Sequence, residues 1–313
     1  MGNELVSIII PVYNRAGIVG RTLQSVAAQS HRPLELILVD NNSTDNTLEV
    51  LNGFKSRHES PDFRIIVMQE SRQGAAAARN KGGHAATGKW LIFFDSDDAM
   101  DPSLVEKFIV AANDTDMVIA RADITNLDGI KTEKPFSTKD LLVNHLFHSC
   151  TSPSQCMIKK ESCESAGWWN EALLGWDDWE FSMRLLLKNP KTSFMTDPPL
   201  IHVFLQRISI TGTNFASKHG SWELAIDSVE QDIKELADPC IKERLLKYVE
   251  FRRMTLSGLY IAEGRRDLAA PLYEKAYARM RHDKTARWLY PLLRSYIAAG
   301  GRGASHIVKL LVK

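Results

Sequence analysis

Residues Trp90–Phe94 form an uninterrupted apolar run, and the next four positions are Asp95-Ser96-Asp97-Asp98. A short apolar run that stops at a turn is the pattern of a strand buried on both faces, as in a parallel sheet. In an open parallel sheet the carboxyl ends of the strands are where ligands bind. Three acids within four positions repel one another, and a divalent cation or polar ligand between them relieves that repulsion. All-oxygen ligands suit Mg²⁺ or Mn²⁺, which keep some waters and share their shell with substrate phosphates. One reading is therefore a metal–diphosphate site. The other is a solvated acidic turn that caps the next helix, with Asp101 and Pro102 as its start signals.

The preceding chain repeats the motif of a buried strand followed by a helix. Leu5–Val12, Leu34–Val39, Phe63–Met68 and Lys89–Phe94 read as strands. Ile18–Gln29, Thr47–Lys55 and Ala75 to about Ala86 read as the helices between them. Short connections in this alternation predict a mostly parallel, Rossmann-like α/β sheet with helices on both faces. Right-handed crossovers put every strand's carboxyl end on one side. Tyr13-Asn14, Asp40-Asn41 and Asp95–Asp98 then line one crevice.

From residue 99 to about 215 the pattern is less regular and holds a dense tryptophan cluster, Trp168, Trp169, Trp176 and Trp179. Such rings are core filler for at least one or two of the four, and beside acids they also make platforms for sugar rings. From Gly220 on the pattern is helical. Leu256, Gly258, Leu259, Tyr260, Gly264, Ala269, Tyr273 and Ala276 resemble one tetratricopeptide-type helix pair, too few repeats for an array. The expected division is residues 1–217 for the sheet domain and 218–313 for a helical appendage.

The formal net charge of +1 hides an asymmetry. From Ile241 onward sixteen Lys or Arg stand against six Asp or Glu, a surplus of ten, so the rest of the chain carries a deficit of nine. The basic tail suits an anionic membrane face or nucleic acid, or is simply a solvated helical face. Its position outside the crevice and the absence of a recognised module argue against nucleic acid. No apolar run approaches the roughly 18 residues of a membrane span. Cys150, Cys156, Cys163 and Cys240 lack zinc or disulfide-scaffold spacing and read as reduced thiols of a cytosolic protein.

Five ordered motifs carry a family resemblance. They are Val6–Asn14, Leu38–Asp45, Gly74 with Ala78–Gly82, Phe94–Asp98, and Trp176-Asp177-Asp178-Trp179 followed by Arg184. Over roughly Val6 to Thr211 the chain resembles a family 2 glycosyltransferase of the GT-A fold. The resemblance implies inverting transfer of a sugar from a nucleotide donor, usually a UDP-sugar. It implies nucleotide contacts from Pro11, Val12, Tyr13, Asp40, Asn41, Arg79, Asp95 and Ser96. It implies an Asp-x-Asp pair at Asp95 and Asp97, with Mn²⁺ or Mg²⁺ on Asp97 and Asp98. Asp178 is the implied general base beside Asp177, with Trp176 and Trp179 toward the acceptor, a glycan or lipid-linked molecule.

The chain departs from the family pattern at Asn41, where Asp is common, and at Asp177, where Glu is common. Gln206 stands where a His often precedes the Ser-x-Thr of Ser209-Ile210-Thr211, and His202 is out of register. The first-strand loop, Val12–Gly17, fits a sugar-phosphate nucleotidyltransferase poorly. The remaining alternative is a catalytically weak nucleotide-sugar scaffold whose helical tail engages a partner. By analogy, the setting is cytoplasmic polysaccharide synthesis at the inner membrane face.

Overall fold

Strand β1 (Val6–Val12) and strand β2 (Leu34–Asp40) are buried along almost every position. Continuous burial, rather than alternation, is what a sheet covered on both faces requires. The computed structural model describes residues 4–134, 136–196, 198–206 and 215–311. The expected Ser209-Ile210-Thr211 motif lies outside them. Within the described residues, two compact units interleave along the chain. One draws on the described residues of Met1–Lys139, Cys150–Glu171 and Lys188–Ile208, the other on those of Asp140–Ser149, Ala172–Leu187 and Ser209–Lys313.

The first unit begins β1, α1 (Val19–Ala27), β2, α2 (Thr47–His58), β3 (Phe63–Gln69), α3 (Ala75–Ala85) and β4 (Trp90–Phe93). These are the elements predicted from the sequence, within a few residues at each end. β4, β1, β2 and β3 lie side by side in that order, all parallel, with Val12 opposite Asp40. The two-residue period of a strand divides the core. Ile8, Ile10, Leu36 and Leu38 face a cluster shared with Leu23, Leu51 and Phe108. Ile9, Ile37 and Val39 face α3. A Cβ on Gly82 would lie 2.5 Å from Ile9 Cγ2 and 3.1 Å from Val39 Cγ2, so α3 lies this close because residue 82 has no side chain.

Next come β5 (Ala99–Met100), α4 (Leu104–Ala111), β6 (Met117–Ile119), β7 (Ala122–Thr125) and β8 (Lys131–Glu133). Helix α5 (Leu141–His148) belongs to the second unit, and β9 (Cys156–Lys159) and α6 (Lys160–Ser165) return to the first. Helix α7 (Asp177–Leu187) again belongs to the second, and β10 (Thr192–Phe194) and β11 (Ile201–Phe204) complete the first. The main sheet is ordered β10-β6-β9-β4-β1-β2-β3, with β9 antiparallel to both neighbours. A smaller sheet runs β5-β11-β7-β8. This mostly parallel α/β architecture is the one expected from the sequence. The antiparallel β9 is a feature that local alternation does not reveal.

The second unit is helical and has its own core. Helices α8 (Ser221–Lys234), α9 (Pro239–Ala262), α10 (Arg266–Arg279), α11 (Lys284–Ala298) and α12 (Ala304–Leu311) follow in order. Asp238 caps α9 through the N–H groups of Cys240 and Ile241, with Pro239 at the first helical position. Gly264, at φ +75°, closes α9 and opens the turn into α10. Trp179 and Met183 of α7 pack in one cluster with Val143 and Leu146 of α5, and with Trp222, Val249 and Met254. The division expected from the sequence is a single boundary after residue 217. The structure groups α5 and α7 with the later helices because their apolar faces share this cluster. No described helix is long and apolar enough to cross a membrane.

Candidate active site

The parallel strands bring three polar groups to one edge of the first unit. At the end of β2, Asp40 is buried, and its Oδ1 has no hydrogen-bond partner among the described residues. A buried acceptor left unmatched costs about 1–3 kcal/mol, which a donor on a ligand would recover. Asn41 donates from Nδ2 to the Glu70 and Arg72 carbonyls at 3.0 and 2.7 Å. Its Oδ1 accepts from the Gly74 N–H at 2.8 Å. Asn41 therefore ties down the loop that launches α3 and retains one acceptor lone pair. Of the β1 group, Pro11 and Val12 are in the strand, and Tyr13 beyond it is 44% exposed.

Beyond β4 the acidic turn is tied from several directions. Asp95 donates its N–H to Ser154 Oγ and accepts Arg79 Nη2 on Oδ1 at 2.9 Å. Arg79 lies on α3, with its guanidinium 4.4 Å from the Trp169 ring. Arg21 Nη2 donates to the Asp97 carbonyl at 2.6 Å, and Thr22 Oγ1 donates to the Asp98 carbonyl at 2.6 Å. The Phe204 N–H reaches Asp98 Oδ1 at 3.3 Å. Ser96 and Asp98 are buried. The capping alternative is not met by a side chain: Asp101 Oδ1 accepts the Ser103 N–H in a local turn just before α4, and the N-cap residue Ser103 makes no side-chain cap hydrogen bond.

The charges on this turn are poorly balanced by the protein. Burial, then the neighbouring Asp95, raises the Asp97 pKa, and Arg15, 4.0 Å away, opposes the rise. Burial pushes Asp98 up to about 8, with Asp95 and Asp97 adding to the effect. Among the described residues, no three His, Cys, Asp or Glu side chains form a metal-binding group. Mg²⁺-type ions usually take one or two carboxylates and complete their shell with water and phosphate. Asp97 and Asp98 meet that requirement, and a cation would supply the charge they lack.

In the second unit, Trp176 adopts φ +56° and α7 begins at Asp177, so both acids sit in the first turn, where the helix dipole favours negative charge. Asp178 Oδ1 accepts the Trp179 N–H at 2.7 Å. One turn on, Glu180 and Arg184 form the expected pair, with two contacts of 2.8 Å. Trp179 is fully buried. That corrects its sequence assignment to the acceptor, because a ring enclosed by the unit's core offers no face to a sugar. Trp176 is only partly buried.

Residues 7–165, just over half of the chain, match the family profile described as Glycosyl transferase family 2. The chain belongs to that family. Among curated relatives, the glycosyltransferase GlyG of Streptococcus pneumoniae is 34% identical over 120 residues, which is 37% of this chain and 38% of GlyG. An uncharacterized glycosyltransferase of Haemophilus influenzae is 27% identical over 206 residues, 63% of this chain and 67% of that protein. The match to GlyG thus spans well under half of that relative's length. Among solved structures, Staphylococcus aureus TarS 1–349 in complex with UDP-GlcNAc aligns with a TM-score of 0.73 at 17% identity, covering 97% of this chain and 91% of that one. At that identity the likeness is one of fold.

In this family 2 chain, several residues near the motifs carry no local sequence signal. Ser154 meets Asp95 across 59 positions, and Arg21 reaches Asp97 across 76. Asn80 holds the Trp169 backbone on both sides, accepting its N–H and donating to its carbonyl, each at 2.9 Å. In the second unit Arg252 lies 4.2 Å from the rings of both Trp176 and Trp179 and donates to the Leu146 carbonyl. Burial lowers the Arg252 pKa, and the Asp178 charge opposes that fall. Only the fold shows that this arginine belongs with the acidic motif.

Proposed function

We propose that this chain transfers a sugar from a UDP-sugar to a hydroxyl of a glycan or lipid-linked acceptor, with inversion at the anomeric carbon. The observation that carries the reading is the strand-edge set. Asp40 keeps a buried oxygen without a hydrogen-bond partner among the described residues, and burial with the neighbouring acids raises the pKa of Asp97 and Asp98 at the same edge. The UDP-GlcNAc bound by the structurally similar TarS supports the choice of donor.

Asp40 accepts an N–H of the nucleobase, and the free lone pair of Asn41 accepts a second donor. Pro11, Val12 and Tyr13 form the wall beside them. Arg79, steadied by Asp95 and the Trp169 face, directs positive charge toward the diphosphate. Ser96 lies within the same turn. Asp97 and Asp98 are the residues that would hold Mn²⁺ or Mg²⁺, which when bound acts as a Lewis acid on the leaving diphosphate. Asp178 takes the proton of the attacking hydroxyl, a contribution of about 10²–10⁴ in rate. Asp177 caps and orients the turn, and Trp176 is the acceptor-side ring.

The test is calorimetric titration of UDP with and without Mn²⁺ on the wild type and on Asp97→Ala. Binding that strengthens with Mn²⁺ in the wild type and loses that gain in Asp97→Ala is the expected outcome. Binding indifferent to both would refute the metal–diphosphate assignment, and absence of UDP binding would refute the donor.

A further inference from the structure

Helix α11 is apolar on two sides. Ala286, Tyr290, Leu293 and Ile297 are buried in the second unit at helical spacing. Trp288, Leu292 and Tyr296, four residues apart, form a second stripe that is 77%, 62% and 47% exposed. On α12, Ile307 is 40% exposed. Three large apolar side chains in line on one helix are more than scattered surface hydrophobics, and such a patch marks a contact surface.

The charge around the stripe selects its partner. From Lys284 to Lys313 the sequence has six Lys or Arg and no Asp or Glu. Lys284 and Arg287 are exposed in the first turn of α11, and Arg302 is exposed just beyond its end. Tyr296 is held in place by its hydroxyl, which donates to the Arg302 carbonyl at 3.0 Å. A helix with Trp, Leu and Tyr on an outer face, cations exposed in its first turn, and no acid after its N-cap Asp283 has the character of an interfacial helix. Trp and Tyr suit the headgroup level because their rings are apolar with one polar edge.

We propose that the Trp288–Leu292–Tyr296 face of α11 docks on an anionic lipid surface, with Lys284, Arg287 and Arg302 over the headgroups. A second copy of the chain fits less well. A symmetric pairing of this face would set like charges against one another with no acid in the segment to offset them. Anionic headgroups complete both the charge and the apolar contact. The inference does not depend on the chemistry proposed for the acidic turn.

The experiment is co-sedimentation of the full chain with phosphatidylcholine vesicles, with and without phosphatidylglycerol, in the absence of nucleotide sugar and acceptor. The wild type is expected to bind the mixed vesicles and to release as salt is raised. Trp288→Ser with Leu292→Ser should weaken binding by at least about tenfold. Lys284→Gln with Arg287→Gln should weaken it by roughly fivefold per charge removed. All four side chains are exposed, and circular dichroism checks that each variant folds. Failure of the wild type to bind anionic vesicles would overturn the proposal, as would equal binding by the Trp288→Ser, Leu292→Ser variant. Lipid-free oligomers in light scattering, dispersed by that variant while vesicle binding persists, would reassign the face to a second copy.

Discussion

Replacing Arg253 with methionine is expected to destabilise the helical unit by about 3 kcal/mol, the low end of the cost of breaking a buried ion pair. Arg253 on α9 is fully buried, and so nearly are Glu230 and Glu250. Its guanidinium contacts Glu230, meets Glu250 Oε1 at 2.6 Å and meets Asp227 Oδ1 at 2.5 Å. Methionine fills much of the space but leaves two carboxylates enclosed. The low end applies because Arg279 still touches both and Lys234 lies 2.5 Å from Glu230. The loss corresponds to a melting temperature lower by roughly 10 °C.

The cost should depend on pH with a definite sign. Burial works against ionisation of Glu230, but Arg279, Lys234 and Arg253 together hold its pKa down to about 2. An acid whose folded pKa is depressed contributes stability above its unfolded value, near 4.5, and loses it as pH falls toward 2. The gap between wild type and Arg253→Met should be full at pH 7 and shrink from about pH 5 downward. Urea unfolding followed by circular dichroism across that range measures it. A gap under about 1 kcal/mol at pH 7, or one that does not shrink in acid, would refute the argument that the guanidinium compensates buried charge.

Asp178→Asn should lower kcat by about 10²–10⁴ while leaving UDP affinity unchanged in calorimetry, since it removes the proton acceptor and not the donor site. Arg252→Met should lower kcat by roughly tenfold or more without moving donor affinity, because the cation packed on both Trp176 and Trp179 steadies the turn that carries Asp178. Two helix glycines should respond to alanine with opposite signs in thermal melts. A Cβ on Gly53 meets nothing within 4 Å, so Gly53→Ala should stabilise by about 1 kcal/mol through helix propensity. Gly82→Ala should instead destabilise, because an overpacking penalty of about 1–3 kcal/mol against Ile9 and Val39 outweighs that gain.

The local pattern of residues 5–98 was enough to predict its strands and helices, because each strand is buried on both faces and reads as a continuous apolar run. The same logic placed Asp40 and Asp95–Asp98 at strand ends, since parallel strands must share one carboxyl edge. The acids at 177 and 178 were visible as a motif, and in the first turn of α7 they meet the positive end of the helix dipole. Periodicity could not reveal β9, which joins the sheet antiparallel after a long irregular stretch. Nor could it separate Trp179 from Trp176, because burial depends on which distant helices cover a ring. Residues such as Ser154, Arg21 and Arg252 act across separations that leave no local trace. Sequence alone determines what each short segment can bury and where it must turn. Tertiary structure decides which polar groups become neighbours, because burial and long-range packing set the electrostatic environment of each acid and arginine.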